Sequence, residues 1–163
     1  MSSNAKKHLE NILKFYDQEH LSKAFVYDFT KTNPAPQIKN SHKGKNNFYV
    51  SINDTLSEAN ILCKKYNYKE HPCALNFANE YNTGGGWTGK KGSQEESLFL
   101  NSSLPLSLWP LRREDDNRLK DFDTRIPRAP QPSYPYKEAT AIYSPYVTGD
   151  QKCYFSVISI AAQ

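Results

Sequence analysis

Gln94, Glu95 and Glu96 stand in a row just after a stretch that holds five of the chain's seven glycines: Gly84, Gly85, Gly86, Gly89 and Gly92. A carboxyl beside a backbone stripped of side chains can pass a proton to or from a ligand that the backbone approaches closely. Amides of such a loop, with the first turn of a following helix, attract phosphate and other anions. Asn79, just upstream, offers a carboxamide to sugar hydroxyls. Together these types suit a ligand with both phosphate and sugar, cleaved by acid–base chemistry. Each also has a plain structural role. A glycine triplet can be a simple turn, Asn79 can end a strand as an Asx turn, and Ser93 with Glu96 has capping-box spacing. Adjacent acids on a helix point about 100° apart, so Glu95 and Glu96 do not share one cap, and at least one is expected to face the glycine loop.

Other glycine-loop chemistries fit less well. A P-loop is excluded because Lys90, after Gly89, is followed by Lys91 rather than Ser or Thr. A dinucleotide fingerprint lacks its acid at the expected distance on a second strand. An aspartic-protease type of carboxylate pair is excluded because neighbours on one helix cannot face each other.

The elements that must carry these residues can be read from periodicity. CALNFA (Cys73–Ala78) reads as the strand before the loop, and a helix is expected from Gln94 to Ser103, stopped by Pro105. Leu9, Ile12, Leu13 and Tyr16 share one helix face over Asn4–His20, a pattern that serves core packing. Ala24–Phe29 is a short strand candidate, and 30–47 reads as an exposed loop. Phe48, Val50 and Ile52 alternate with polar residues as a half-buried strand. Thr55 and Glu58 have capping-box spacing for the helix TLSEANILCKKYN. Strand, helix and strand in that order predict a right-handed crossover in a mixed or parallel sheet. Region 106–137, with five prolines and the run RREDDNRLKDFD, reads as a long surface loop with a solvated helical turn. Thr140–Tyr143 and Tyr154–Ile160 close the chain as strands.

At 163 residues the chain suits one domain with a single core. It is polar, with a mean hydropathy of −0.77, yet its eleven tyrosines and other aromatics argue against disorder. The net charge of +4 is scattered rather than gathered in a stripe, so no direct nucleic-acid binding is indicated. Cys63, Cys73 and Cys153 form no CxxC pair, which predicts a reduced intracellular protein without structural zinc. No signal peptide or membrane span is legible, which predicts a cytoplasmic protein, or a nuclear one in a eukaryote.

The segment LNFANEYNTGGGWTGKKGSQEESLFLNSSL resembles the microbial-type poly(ADP-ribose) glycohydrolases, whose hallmark is a glycine triplet followed closely by Gln-Glu-Glu. Here seven residues separate Gly86 from Gln94. The later AIYSPYV and YFSVISIAAQ are similar to the family's next two strands, so the resemblance runs over 48–163. It implies an α/β, macrodomain-like three-layer α/β/α sandwich with a mixed sheet, incomplete in this chain, with 1–47 as a helical extension and loop. Glu96 would be the catalytic acid and base for the ribose–ribose bond, a role that partial burial assists. Glu95 and Gln94 would position the ribose, Asn79 would hold its hydroxyls, and Gly84, Gly85 and Gly86 would pass the distal ribose and diphosphate. No metal or cofactor is implied. The implied partner is ADP-ribose or poly(ADP-ribose), including polymer on ADP-ribosylated proteins. Two departures stand out: Thr83 where the family has Pro, and only one glycine after Gly92, which leaves no second diphosphate loop. A fragment, or a binding module with half a site, is the alternative expectation.

Overall fold

The computed structural model describes residues 3–15, 24–30, 47–67, 71–89, 92–150 and 153–161. Helix α1 (Ser3–Phe15) is followed by strand β1 (Phe25–Asp28), helix α2 (Thr55–Lys65) and strand β2 (Cys73–Ala78). Helices α3 (Gln94–Asn101) and α4 (Leu104–Leu108), two short 3-10 turns, and strands β3 (Thr140–Asp150) and β4 (Cys153–Ala161) complete the order. The strands form one mixed sheet, β1-β3-β4-β2, in which β2 runs parallel to β4 and the other pairs are antiparallel. The α/β class and the mixed sheet follow the sequence reading.

Alternation along the strands sorts the two faces of the sheet. Asn76 and Ala78 on β2 and Phe155, Val157 and Ser159 on β4 are buried, and they continue into the core formed by Leu98, Phe99, Leu104, Leu108 and Trp109. Leu75, Phe77, Tyr154 and Ile160, on the alternate positions, are exposed. Among the described residues, then, one face of the sheet is buried against the core, while the other leaves large apolar side chains exposed.

Several expectations change. Phe48, Val50 and Ile52 form no strand and are 92%, 99% and 103% exposed. Alternation makes a strand only where a neighbour edge pairs with it. Here Tyr49, Ser51 and Asn53 instead turn their side chains onto the Glu58 carboxylate, at 2.6, 2.7 and 2.9 Å. The expected crossover between two strands is therefore absent. The cap of α2 is Asp54 rather than Thr55, since Asp54 Oδ1 accepts the amides of Leu56 and Ser57. Pro105 sits in the first turn of α4 instead of ending α3, because a helix start does not use its missing N–H. Helix α1 ends at Phe15, and residues 16–20 of the expected helix lie outside the described residues, as does most of the 30–47 loop.

Two corrections reach further. Cys63 on α2 and Cys153 on β4 are joined by a disulfide, with Cα atoms 5.9 Å apart, whereas the odd, unpaired count predicted reduced thiols. Spacing along the chain could not pair them, because α2 folds onto β4 across 90 residues. Cys73 is free and exposed. Region 106–137 is not a solvated loop. Leu106, Trp109, Leu111, Leu119, Phe122, Ile126, Tyr134 and Tyr136 are all buried. Its backbone is tied by arginines in place of a ladder. Arg112 donates to the Trp109 carbonyl at 2.9 Å, and Arg128 donates to the carbonyls of Arg113 and Asp116. Arg112 and Asp116, the buried members of the charge run, sit inside the fold while Glu114, Asp115, Lys120 and Asp121 stay exposed.

Candidate active site

The site forms where β2 ends and α3 begins, and Gln94 fastens the two. Its Oε1 accepts the Phe77 amide at 3.0 Å, and its Nε2 donates to the Leu75 carbonyl at 2.6 Å. One carboxamide thereby pairs with the outer edge of β2 much as a neighbouring strand would. The Nε2 also reaches Thr55 Oγ1 at 3.2 Å, tying in the start of α2.

Between them the chain makes the glycine turn. Asn79 Oδ1 accepts the amides of Tyr81 and Asn82 at 3.0 and 2.7 Å, an Asx turn. Its Nδ2 has no partner among the described residues. The Gly85 amide then bonds the Asn82 carbonyl at 2.8 Å. Gly84 and Gly85 both hold positive φ, +73° and +58°. At Gly84 the missing side chain makes room for the core: an added Cβ would lie 2.5 Å from Phe99 Cδ1 and 2.6 Å from Trp87 Cδ1. At Gly85 it makes room for the acids, since a Cβ would stand 3.3 Å from Glu95 Oε2 and 3.4 Å from Glu96 Oε1. The triplet thus serves two functions on two sides.

Both acids reach the loop, more than the helix geometry required. Glu95 is 2% exposed; its Oε2 accepts the Asn79 amide at 2.8 Å and its Oε1 lies 3.5 Å from Asn76 Nδ2. Asn76 also donates to Ser159 Oγ on β4 at 3.1 Å. Burial pushes the Glu95 carboxyl up to about 7; the Asn79 amide, the Asn76 amide and the Gly84 backbone oppose that rise, and the nearby Glu96 adds to it. Tyr134 and Tyr136, buried and packed edge to face, lie close enough to feel the Glu95 charge. Burial is the main cause that raises both phenols; the Tyr136 interaction and then the Glu95 charge add to it at Tyr134, and the Glu95 charge adds to it at Tyr136.

Glu96 is half-buried and joins the cap to the loop. Its Oε2 accepts the Ser93 amide at 3.0 Å and Ser93 Oγ accepts the Glu96 amide at 3.3 Å, a complete capping box. Its Oε1 accepts the Gly86 amide at 2.9 Å. Each carboxylate oxygen thus keeps a further acceptor position, so capping and proton transfer do not exclude one another.

The fold therefore gathers Glu95, Glu96, Gly85, Gly86 and the Asn79 backbone into one place, while the Gln94 side chain turns to the β2 edge. Sequence reasoning missed Arg118 and Asp116. Arg118 donates to the carbonyls of Gly85 and Thr83, at 2.5 and 2.9 Å, from within the supposed surface loop. No periodicity marks it; the only hint was a charge run unusually close to prolines and aromatics. Among the described residues, no group of three or more His, Cys, Asp or Glu is placed to hold a metal ion, and no helix is long and apolar enough to cross a membrane.

Comparison with solved structures gives the same architecture. The chain is similar to the poly(ADP-ribose) glycohydrolase of Thermomonospora curvata, at 20% identity and a TM-score of 0.63 over 98% of this chain and 63% of that one. It is likewise similar to that enzyme bound to the inhibitor ADP-HPD, at 19% identity and a TM-score of 0.60, over 98% of this chain and 62% of that one. The chain thus spans a little over three-fifths of the length of these structures. No curated protein matches it in sequence. At such identity the likeness establishes the macrodomain-like fold alone. The family model of the microbial-type PARG catalytic domain, however, matches residues 2–149. That match takes in the strand, the glycine turn and the Gln-Glu-Glu helix start, and the chain belongs to the microbial-type poly(ADP-ribose) glycohydrolase catalytic-domain family.

Proposed function

We propose that this chain carries the hydrolytic site for ribose–ribose O-glycosidic bonds of poly(ADP-ribose), releasing ADP-ribose, with Glu96 as general acid and base. The observation that carries this reading is the Gly86 amide on Glu96 Oε1 at 2.9 Å, which sets a half-buried carboxyl against an open glycine backbone. Glu96 in its acid form gives its proton to the leaving 2′-oxygen as the C1″–O2′ bond breaks and positive charge develops at C1″. Water then attacks C1″ and returns a proton to the Glu96 carboxylate, so the group ends as it began. Gly84–Gly86 lets the distal ribose and diphosphate lie against the backbone, and the unpartnered Nδ2 of Asn79 suits a ribose hydroxyl. Glu95 fixes Asn79 through its amide, so it positions the ribose from below. Gln94, its carboxamide committed to β2, contributes through the placement of α3.

The complete capping box favours a second reading, in which Glu96 only caps α3. Calorimetric titration with ADP-ribose and release of ADP-ribose from polymer decide between them. The glycohydrolase reading expects binding in the micromolar range and release that Glu96→Gln lowers at least about 10²-fold, the loss of one positioned acid–base group. Binding without release leaves an ADP-ribose-binding module. No binding at high micromolar ligand leaves the cap.

A further inference from the structure

The Gly85–Gly86 peptide is held from both ends. Its N–H donates to Glu96 Oε1 at 2.9 Å and its C=O accepts from Arg118 Nη1 at 2.5 Å. A trans peptide points these groups in opposite directions, so guanidinium, peptide and carboxylate form one line of hydrogen bonds. Such a chain polarises along its length: a cation on the carbonyl strengthens the amide as a donor.

Arg118 is itself fixed from the far side. Its Nε and Nη2 bond the two carboxylate oxygens of Asp116 at 2.9 and 2.7 Å, and its second carbonyl contact is Thr83, at 2.9 Å from Nη2. Four of its five N–H donors are thus engaged within the protein, which makes it a brace rather than a ligand-binding cation. Asp116 is 5% exposed. Burial opposes its charge, but the Arg118 hydrogen bonds and charge outweigh that and hold the carboxyl below the usual range. The guanidinium also lies over the Trp109 ring, 5.2 Å from its centroid, and Trp109 packs against Trp87 just beyond the triplet. The brace therefore touches the turn before, within and after the glycines.

We infer that Arg118, oriented by Asp116 and Trp109, is a positioning residue that sets the direction of the Gly85–Gly86 peptide and, through it, the Glu96 carboxyl. The inference rests on the glycohydrolase reading for its kinetic consequence, but not for its geometric one. Without Arg118 the peptide can rotate, since glycine on each side offers little resistance. A swing of an ångström at the acid is enough for a loss of about 10²-fold in turnover.

Arg118→Lys and Arg118→Met test it with two readouts: the Gly86 amide resonance by NMR and the kinetics of ADP-ribose release. Both variants are expected to displace the Gly86 amide resonance. Arg118→Met should lower kcat about 10²-fold, a larger change than that in KM, since the acid is displaced as well as the ligand-facing backbone. Arg118→Lys should recover only part of the rate, because an ammonium cannot serve two carbonyls and a carboxylate in one plane. Combined with Glu96→Gln, Arg118→Met should cost little more than Glu96→Gln alone. An unmoved Gly86 amide in either variant overturns the inference, whatever the rates. Full additivity in the double variant also overturns it. Where the unmodified protein releases no ADP-ribose, the glycohydrolase reading fails by itself, and the Gly86 resonance still decides the role of Arg118. Should Arg118→Met not fold, Arg118→Lys, which keeps the charge beside Asp116, supplies the same test.

Discussion

At the residue scale the two acids have separate environments although they are neighbours in sequence. Glu96 stands at the rim with its oxygens on the Ser93 and Gly86 amides, whereas Glu95 lies under the turn with its carboxyl pushed up to about 7. Its folded value lies above the reference of 4.5, so the folded state holds the Glu95 proton more tightly than the unfolded chain does. The stability contributed by that proton is complete below about pH 4.5 and is lost as pH rises through about 7. Glu95→Gln, which keeps the shape and an acceptor for the Asn79 amide, is expected to flatten the melting temperature across that window and to raise it above pH 7. Thermal melts from pH 4 to 9 check this; an unchanged profile would place the pH dependence on other groups. That at least one acid would face the glycine loop was legible from QEE. Which one is buried was not, because neither burial nor the Asn76 and Ser159 partners can be read from helical spacing.

At the element scale the site depends on how β2 and α3 are joined. Gln94 makes that joint, occupying the Phe77 N–H and Leu75 C=O on the outer edge of β2. An open edge offers those groups to water or to another chain. Gln94→Ala is expected to speed hydrogen exchange at the Phe77 amide and to cost about 1–2 kcal/mol of stability, the value of two exposed hydrogen bonds. Exchange measured by NMR, with a chemical melt, reads both; unchanged protection at Phe77 would refute the joint. The elements that flank the glycine turn were legible, as was the last strand: β2 spans Cys73–Ala78, α3 begins at Gln94 as read, and β4 covers the expected YFSVISI. The two failures have different causes. Phe48–Ile52 has a strand's alternation but no edge to pair with, and 106–137 has no period at all, yet it is buried through aromatics and arginine bonds to carbonyls.

At the scale of the whole molecule, the fold draws its closure from contacts between distant parts of the chain. The Cys63–Cys153 disulfide links α2 to β4 across 90 residues. Cross-linking a loop of that size removes conformational freedom from the unfolded chain worth about 4–5 kcal/mol. Thiol labelling in denaturant is therefore expected to find one reactive cysteine, Cys73, and three after reduction, with a lower melting temperature for the reduced protein. Three reactive thiols in the untreated protein would refute the bond. The exposed face bearing Leu75, Phe77, Tyr154 and Ile160 belongs to this scale as well. In register, Leu75 stands beside Ile158 and Phe77 beside Ile160, so the apolar positions adjoin across β2 and β4.

By itself the sequence determined the local chemistry: the glycine turn between a strand and a helix, the Ser93–Glu96 cap, the spacing from Gly86 to Gln94, and with these the family. Such features depend on neighbours within about ten residues, where backbone geometry follows residue type directly. Only the tertiary structure decided that Glu95 is buried, that Gln94 pairs with β2, that Cys63 meets Cys153, and that Arg118 holds the glycine turn from a segment more than thirty residues away. Those outcomes depend on which surfaces exclude water together and which buried carbonyls need donors. Neither requirement has a period along the chain.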